Sequence, residues 1–331
     1  MRYRPFGRTG LSVAELGLGC SRIGGALSPG GSRKDEERML RAALDAGINF
    51  FDTSDLYSQG QSEVVLGRAL GGRRHEAIIA TKGGYVVPGE QRLRARIKPL
   101  VRPIARFLPV RPSGAGSAGT APMPQDFSPD HLARAVDASL RRLATDHIDL
   151  YQLHSPTRSV VERDDALAAL EHQRELGKIG WYGLALDSAD AVRGLVLDGA
   201  LASVQVPYSL LYPGAAEVLF PESSTQARGF AIIARSCYAA GLFKDGLDEP
   251  ALQRLTPDWP EIVELQRRAA LIGRPLIEAA LQFSLAPSAV SVTIIGMRTS
   301  AHLADNLRRY DASPLTSTEL GILRGAARDA R

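Results

Sequence analysis

Short apolar runs and stretches with helical spacing alternate about eight times along this chain, and that alternation constrains its fold more than any other feature. We predict strands at residues 15–18, 49–52, 77–81, 148–153, 179–184, 203–206, 230–234 and 292–295. Strands that alternate with helices form parallel sheets, because a helical crossover returns the chain to the same end of the sheet. Eight such units in 331 residues favour a closed (β/α)8 TIM barrel over an open, doubly wound sheet.

Three of the intervening segments carry clear helical signals. Residues 36–46 and 129–143 have apolar side chains spaced along one helix face,. Ser128 precedes a proline, which is typical of an N-cap followed by the first helical position. Residues 163–176 repeat the pattern more weakly, and Gly177 is suited to end that helix,.

Two features are expected outside the barrel, within one domain that covers residues 1–331. Residues 2–12 are predicted to form a small N-terminal β-hairpin that covers the N-terminal end of the barrel. Residues 317–328 are predicted to form an extra C-terminal helix.

One connection is much longer than the rest, since a barrel unit averages roughly 30 residues and Lys82 and His154 lie on neighbouring predicted strands. We therefore predict an inserted loop at about 83–127. Its first part is basic and near-helical in spacing but interrupted by prolines, and residues 112–124 are mostly Gly, Ser, Ala and Pro. Three roles remain open for it: a solvated or disordered loop, a lid over the active-site face, or an amphipathic contact with a membrane surface or acidic partner.

Composition excludes several classes of protein. Hydrophobic residues make up 44% and charged residues 23% of the chain, which is typical of globular proteins and argues against wholesale disorder. The net charge of +4 arises from residues 92–111, which contain basic residues and no acid, so a protein-wide nucleic-acid surface is not expected. No apolar run is long enough to span a bilayer. With two cysteines and no secretory signal pattern, the chain is predicted to be cytoplasmic.

Four polar side chains lie at the ends of successive predicted strands, which in such barrels is the active-site face. Asp52, Lys82 and His154 end the second, third and fourth strands, and Tyr57 follows Asp52. The Lys82 ammonium is expected to lower the pKa of Tyr57, with Asp52 holding Lys82 and His154 orienting a substrate oxygen. A single strand-end aspartate is often only a helix cap, so the convergence of all four carries the hypothesis. Such a site protonates a carbonyl but needs a cofactor to supply hydride.

The chain resembles the aldo-keto reductase superfamily over nearly its whole length. The similar segments include FGRTGLSVAELGLG, GINFFDTSDLYSQGQSEVVLGRAL, SLRRLATDHIDLYQLH and IIGMRTSAHLADN. The order and spacing of Asp52, Tyr57, Lys82 and His154 are similar to the catalytic tetrad of that family. The resemblance implies a barrel that binds NADPH, with NADH possible, and that transfers hydride to an aldehyde or ketone. It implies Tyr57 as the general acid.

The resemblance also implies cofactor-binding positions. Gln205 is similar to the residue that holds the carboxamide, and Gly296, Arg298 and Asn306 match the segment that binds the adenosine part. Arg298 is the candidate for a 2′-phosphate because a guanidinium binds phosphate in bidentate fashion, although an ordinary surface arginine is the alternative. Arg235 replaces a tyrosine that stacks on the nicotinamide, and its planar guanidinium can stack as well.

This sequence departs from the family pattern at other positions. Where relatives often have Ser-Asn to contact the nicotinamide amide, the chain has apolar residues, so that contact is expected either to be lost or to be made by Asp187 or Ser188. His302 replaces a residue that is often Arg or Gln, which weakens the expectation of NADPH. Tyr85, Tyr208 and Tyr212 are candidates either for the substrate pocket or for core packing.

Two functions remain open, and no metal is expected in either, because the chain has no HExxH motif or clustered histidines,. The first is an NAD(P)H-dependent oxidoreductase that reduces a small-molecule carbonyl, or oxidises a sugar or alcohol in reverse. GLGCSRIGG and DFSPDHL are weakly similar to bacterial sugar-dehydrogenase branches. The second is a cofactor-binding regulatory or sensor barrel with little turnover.

Overall fold

The strands of the computed structural model, which describes residues 1–25, 32–86, 123–193, 201–220 and 229–325, form a hairpin and a barrel. The hairpin consists of β1 (Tyr3–Pro5) and β2 (Ser12–Ala14). The barrel strands are β3 (Leu16–Gly19), β4 (Phe50–Asp52), β5 (Ile78–Gly83), β6 (Ile148–His154), β7 (Ile179–Ala185), β8 (Leu201–Pro207), β9 (Ala231–Arg235) and β10 (Val290–Gly296). These eight strands are parallel, and β10 pairs with β3 to close the barrel. The predicted (β/α)8 barrel is confirmed.

Helices surround the barrel. In the described ranges they are α1 (Arg33–Asp45), α2 (Gln61–Leu70), α3 (Pro129–Leu143), α4 (Arg158–Glu162), α5 (Asp164–Glu175), α6 (Ala215–Leu219), α7 (Glu249–Leu255), α8 (Trp259–Leu271), α9 (Leu276–Leu285), α10 (Ser300–Tyr310) and α11 (Ser317–Arg324). The helix α3 begins as predicted, with the Ser128 side chain accepting a hydrogen bond from the His131 amide at 3.4 Å. No helix in these ranges is long and apolar enough to cross a membrane.

The N-terminal hairpin covers the N-terminal end of the barrel, as predicted. Phe6 and Val13 are fully buried and join the core inside the barrel. The ring of Phe6 lies 5.6 Å from that of Phe50 on β4. The hairpin extends to Ala14, two residues beyond the predicted end, because Val13 and Ala14 are both buried. This apolar plug leaves the opposite end of the barrel for polar side chains.

The C-terminal helix is shorter than predicted. The helix α11 ends at Arg324 because Gly325 adopts a left-handed conformation (φ 81°) that caps it. Glycine at this position is the usual way for a helix to end. Residues 326–328 of the predicted helix lie outside the described residues.

The two ends of the predicted insertion lie side by side. Tyr85 and Gln125 form an antiparallel bridge, and the Asp126 amide donates to the Gly84 carbonyl at 2.8 Å. Phe127 is buried against Gly84, where any Cβ would lie 2.2 Å from its ring. Residues 87–122, including the basic run, lie outside the described residues, so the role of the insertion stays a prediction.

Candidate active site

Asp52, Lys82 and Gln205 meet in the buried centre of the C-terminal face of the barrel. The Lys82 ammonium donates to both carboxylate oxygens of Asp52 at 2.7 Å and to the Thr53 carbonyl at 2.9 Å. Gln205 Nε2 donates to Asp52 Oδ1, also at 2.7 Å. The side chains of Lys82 and Asp52 are only 1% and 3% exposed. Water therefore screens this ion pair little, and the ammonium is held at one position.

Tyr57 lies against this ion pair. Its hydroxyl is 3.4 Å from Lys82 Nζ, and the ammonium is 4.9 Å from the ring centroid. The chain turns sharply just after it, because Ser58, Gln59 and Gly60 all have positive φ (50°, 59° and 84°). Two consecutive non-glycine residues in the left-handed region are uncommon. The Ser58 hydroxyl secures the turn by donating to the Ile23 carbonyl at 2.8 Å.

Burial decides the protonation of Tyr57, and the Asp52 carboxylate decides that of Lys82. The pKa of Tyr57 lies above its ordinary value because burial of the phenol outweighs its attraction to Lys82. Lys82 does lower the pKa of Tyr57, as expected, but burial has the larger effect and the net pKa is raised. Burial also lowers the pKa of Lys82, but the nearby Asp52 carboxylate more than offsets that effect, and the net pKa is raised. Near neutral pH the site consequently holds a protonated phenol beside a charged ammonium.

His154 ends β6 between two tyrosine rings. Tyr57 and Tyr85 meet its ring edge-on, with centroids at 5.9 and 5.0 Å. The imidazole Nδ1 is 3.1 Å from Ser54 Oγ. Burial, together with repulsion from Lys82 and Arg235, lowers the pKa of His154 to about 3. The ring is neutral at physiological pH, so it acts through hydrogen bonds and not as a cation.

Arg235 lies at the opposite side of the barrel mouth, at the end of β9. Its guanidinium donates to the Leu186 carbonyl at 2.9 Å and to Asp187 Oδ1 at 3.1 Å. Arg235 and Asp187 border a cleft of about 450 Å³, whose other lining residues include Ser188, Tyr212 and Ser236. Asp187 and Ser188, the expected substitutes for the Ser-Asn pair, thus both line the cleft.

A rim without side chains lies beside this cleft, because β10 pairs with β9 in the barrel. Gly19 and Gly296, at the ends of β3 and β10, are register partners, and a Cβ at Gly296 would meet nothing within 4 Å. Such a rim lets a phosphate approach backbone N–H groups. Together with the polar cleft and the planar Arg235 guanidinium, it fits an extended dinucleotide.

The remaining predicted cofactor positions follow β10. Arg298 is partly exposed and comes two residues after the strand. Asn306 is buried on α10, where its Oδ1 accepts a hydrogen bond from the Tyr238 hydroxyl at 2.7 Å. The structure thus groups Asp52, Tyr57, Lys82, His154 and Gln205 at the centre and places Gly296, Arg298 and Asn306 on the β10–α10 segment.

Comparisons with known proteins agree with this geometry. The model of the Aldo/keto reductase family matches residues 15–328. The chain belongs to the aldo/keto reductase family. Its predicted resemblance is therefore confirmed, and as a member of this family of oxidoreductases it is expected to act with a nicotinamide cofactor.

Individual relatives are similar along nearly the whole chain. It is 30% identical to a D-threo-aldose 1-dehydrogenase from a Pseudomonas species over 90% of this chain and 89% of that protein. It is 29% identical to a pyridoxal 4-dehydrogenase from Microbacterium luteolum, over 94% and 93%. The holo form of the aldo-keto reductase AKR11C1 from Bacillus halodurans superposes with a TM-score of 0.77 at 29% identity, covering 100% of this chain and 97% of that one.

Sequence reasoning missed two residues of this aldo/keto reductase site. Ser54 contacts His154, and Asp55 lies beside Ser54; both stand in the same DTSDLY segment as Asp52 and Tyr57, and their polarity was the available signal. Of the candidate tyrosines, Tyr85 contacts His154 and Tyr212 lines the cleft. Tyr208 is a core residue, fully buried and stacked on Phe283 at 5.2 Å.

Proposed function

We propose that this chain is an NADPH-dependent oxidoreductase that reduces a small aldehyde or ketone, or oxidises a sugar or alcohol in reverse, with Tyr57 as general acid. The observation that carries the proposal is the position of the Tyr57 hydroxyl, which lies 3.4 Å from the Lys82 ammonium. Asp52 holds that ammonium in place through a hydrogen bond.

Tyr57, Lys82 and Asp52 each have a separate role in the proposed reaction. The nicotinamide cofactor, when bound, supplies the hydride. Tyr57 keeps its proton in the resting site, because burial raises its pKa, and donates it as negative charge grows on the substrate oxygen. Lys82 then stabilises the phenolate that remains, and Asp52 keeps Lys82 charged and in place. This assignment needs no ionised histidine, in agreement with the lowered pKa of His154.

Gln205, Arg235, Gly296, Arg298 and Asn306 are the residues that we propose to hold the cofactor. Arg235 can stack on a planar ring while its charge is partly neutralised by Asp187,. Arg298 is the group proposed to select NADPH over NADH, because a guanidinium recognises a phosphate and has no equivalent partner on NADH.

The relatives bear on the class of substrate. Two relatives are an aldose dehydrogenase and a pyridoxal dehydrogenase, which supports a polar aldehyde, sugar or alcohol and a measurable oxidative direction.

The test is a titration with NADPH and NADH, followed by turnover measurements with a panel of aldehydes, ketones and sugars. Wild type should bind NADPH and turn over at least one class, and Tyr57→Phe should bind cofactor but lose turnover. Tyr3→Phe, at an exposed tyrosine of β1, is the matched control and should behave as wild type. Tight cofactor binding with no turnover of any panel member would instead support the regulatory or sensor barrel.

A further inference from the structure

The Ser54 hydroxyl connects His154 to the carboxyl group of Asp55. Ser54 Oγ lies 3.1 Å from His154 Nδ1 and 3.3 Å from Asp55 Oδ1. It also accepts the Leu56 N–H at 3.1 Å and lies 3.4 Å from the Lys82 carbonyl. A hydroxyl carries a single proton, so Ser54 donates to only one of these acceptors at a time. Because Ser54 is fully buried, water does not readily replace either partner.

Asp55 faces a second polar cluster, which lies behind the barrel wall. Glu63 on α2 is fully buried, accepting from Thr81 Oγ1 at 2.6 Å and from Arg142 Nε of α3 at 2.5 Å. The Arg142 charge is thus already matched by Glu63. Burial and repulsion from Glu63 raise the pKa of Asp55 to about 7, with Arg142 opposing them.

The other titratable groups that face Asp55 keep one charge state near neutral pH. Burial raises the pKa of Tyr151 on β6 well above its ordinary value, so this phenol stays protonated. His154 stays neutral, since its pKa is lowered to about 3. Lys82, whose carbonyl accepts the Asp55 N–H at 3.2 Å, stays charged because its pKa is raised. Asp55 is therefore the member of this set whose charge changes in the physiological range.

We propose that Asp55, acting through Ser54, sets which ring nitrogen of His154 carries the proton. When Asp55 is ionised, its carboxylate accepts a hydrogen bond from the Ser54 hydroxyl, which keeps its proton, and Ser54 Oγ accepts a hydrogen bond from Nδ1–H. The lone pair then lies on Nε2. When Asp55 is protonated, the Ser54 hydroxyl donates to Nδ1, and the proton lies on Nε2. Asp55 takes its proton from solvent, and the one imidazole proton leaves Nδ1 and returns at Nε2 by exchange with water at the barrel mouth.

This relay from Asp55 through Ser54 to His154 rests on the proposed function, and it relates the direction of the reaction to the pH. An Nε2–H can donate to a carbonyl oxygen, which suits reduction, whereas a bare Nε2 can accept from an alcohol hydroxyl, which suits oxidation. Asp55 and Ser54 are positioning residues in this scheme, because they reach the substrate only through His154. The site then favours carbonyl binding below about pH 7 and alcohol binding above it, following the titration of Asp55.

Nitrogen-15 NMR of the full chain reads the tautomer directly and needs no turnover. Two-bond correlation spectra of histidine-labelled protein distinguish Nδ1–H from Nε2–H, and the signal that His154→Gln removes identifies His154 among the six histidines. With NADP⁺ present, wild type should change from the Nε2–H to the Nδ1–H form as the pH rises through about 7. Asp55→Asn and Ser54→Ala should abolish the change, and Asp130→Asn, at an exposed acid of α3, should keep it. A pH-independent tautomer in wild type, or a change that survives in Asp55→Asn, overturns the relay.

The pH profile of carbonyl reduction is the second readout. Wild-type kcat/KM should fall as the pH rises through about 7, and Asp55→Asn should flatten that step. Ser54→Ala should also lose the step and lower kcat by about tenfold, the equivalent of one hydrogen bond, with folding checked by thermal melting. A step that persists in Asp55→Asn overturns the relay while leaving the role of Tyr57 intact, whereas absence of turnover with a normal tautomer change counts against the proposed function alone.

Discussion

Replacing Lys82 with methionine separates its structural role from its proposed catalytic role. In Lys82→Met, the Asp52 carboxylate stays 3% exposed but loses both 2.7 Å bonds from the ammonium and retains the bond from Gln205. Removing one partner of a buried ion pair costs ~3–5 kcal/mol. We therefore expect the free energy of unfolding, measured by urea titration, to fall by about that amount.

The double variant Asp52→Asn/Lys82→Met also removes the Asp52 charge, which has lost its Lys82 partner in the single variant. Because neutral groups often replace a buried pair at little cost, most of the lost stability should return. Catalysis should not return, since the Tyr57 phenolate still lacks its cation, and kcat/KM for carbonyl reduction should stay ~10²–10⁴-fold below wild type. A double variant as unstable as Lys82→Met, or either variant with wild-type kcat/KM, would refute this reasoning.

Three further predictions concern binding and stability. Arg298→Ala should weaken NADPH binding by about tenfold or more with little change for NADH, and equal losses in fluorescence titrations would remove Arg298 from the phosphate site. Gly67→Ala should destabilise the protein by ~1–3 kcal/mol, because its Cβ would lie 2.3 Å from the Leu143 carbonyl oxygen, whereas Gly321→Ala, with nothing within 4 Å, should be neutral or stabilising in the same melts. The pKa of Asp55 is raised to about 7 in the fold, so the stability of wild type falls as the pH rises from about 4 to about 7. Asp55→Asn does not titrate there, so it should be more stable than wild type above pH 7. This difference in stability should disappear near pH 4.

The architecture could be predicted because each barrel strand is a short apolar run and strand ends converge on one face. That rule alone places Asp52, Lys82 and His154 near one another, and the structure brings their side chains together with Tyr57. The end of α11 could also have been predicted from the sequence, since a glycine such as Gly325 commonly ends a helix. The predicted helix nevertheless continued past it.

Other properties of the site depend on packing between distant segments. The raised pKa of Tyr57 follows from burial, which the local sequence does not record. The environment of Asp55 depends on Glu63 and Arg142 meeting across α2 and α3, and those helices approach closely only because residue 67 is glycine. No pattern within the DTSDLY segment reveals that contact.

Single-turnover reduction of a reactive aldehyde by the NADPH complex tests the central claim most directly. Tyr57→Phe keeps the ring that packs beside Lys82 and His154 and removes only the hydroxyl that carries the proton. We predict that NADPH affinity stays within about threefold of wild type, since Tyr57 is not proposed to bind the cofactor. The rate of the hydride-transfer step should fall by ~10²–10⁴-fold. A Tyr57→Phe variant that transfers hydride as fast as wild type would contradict the account.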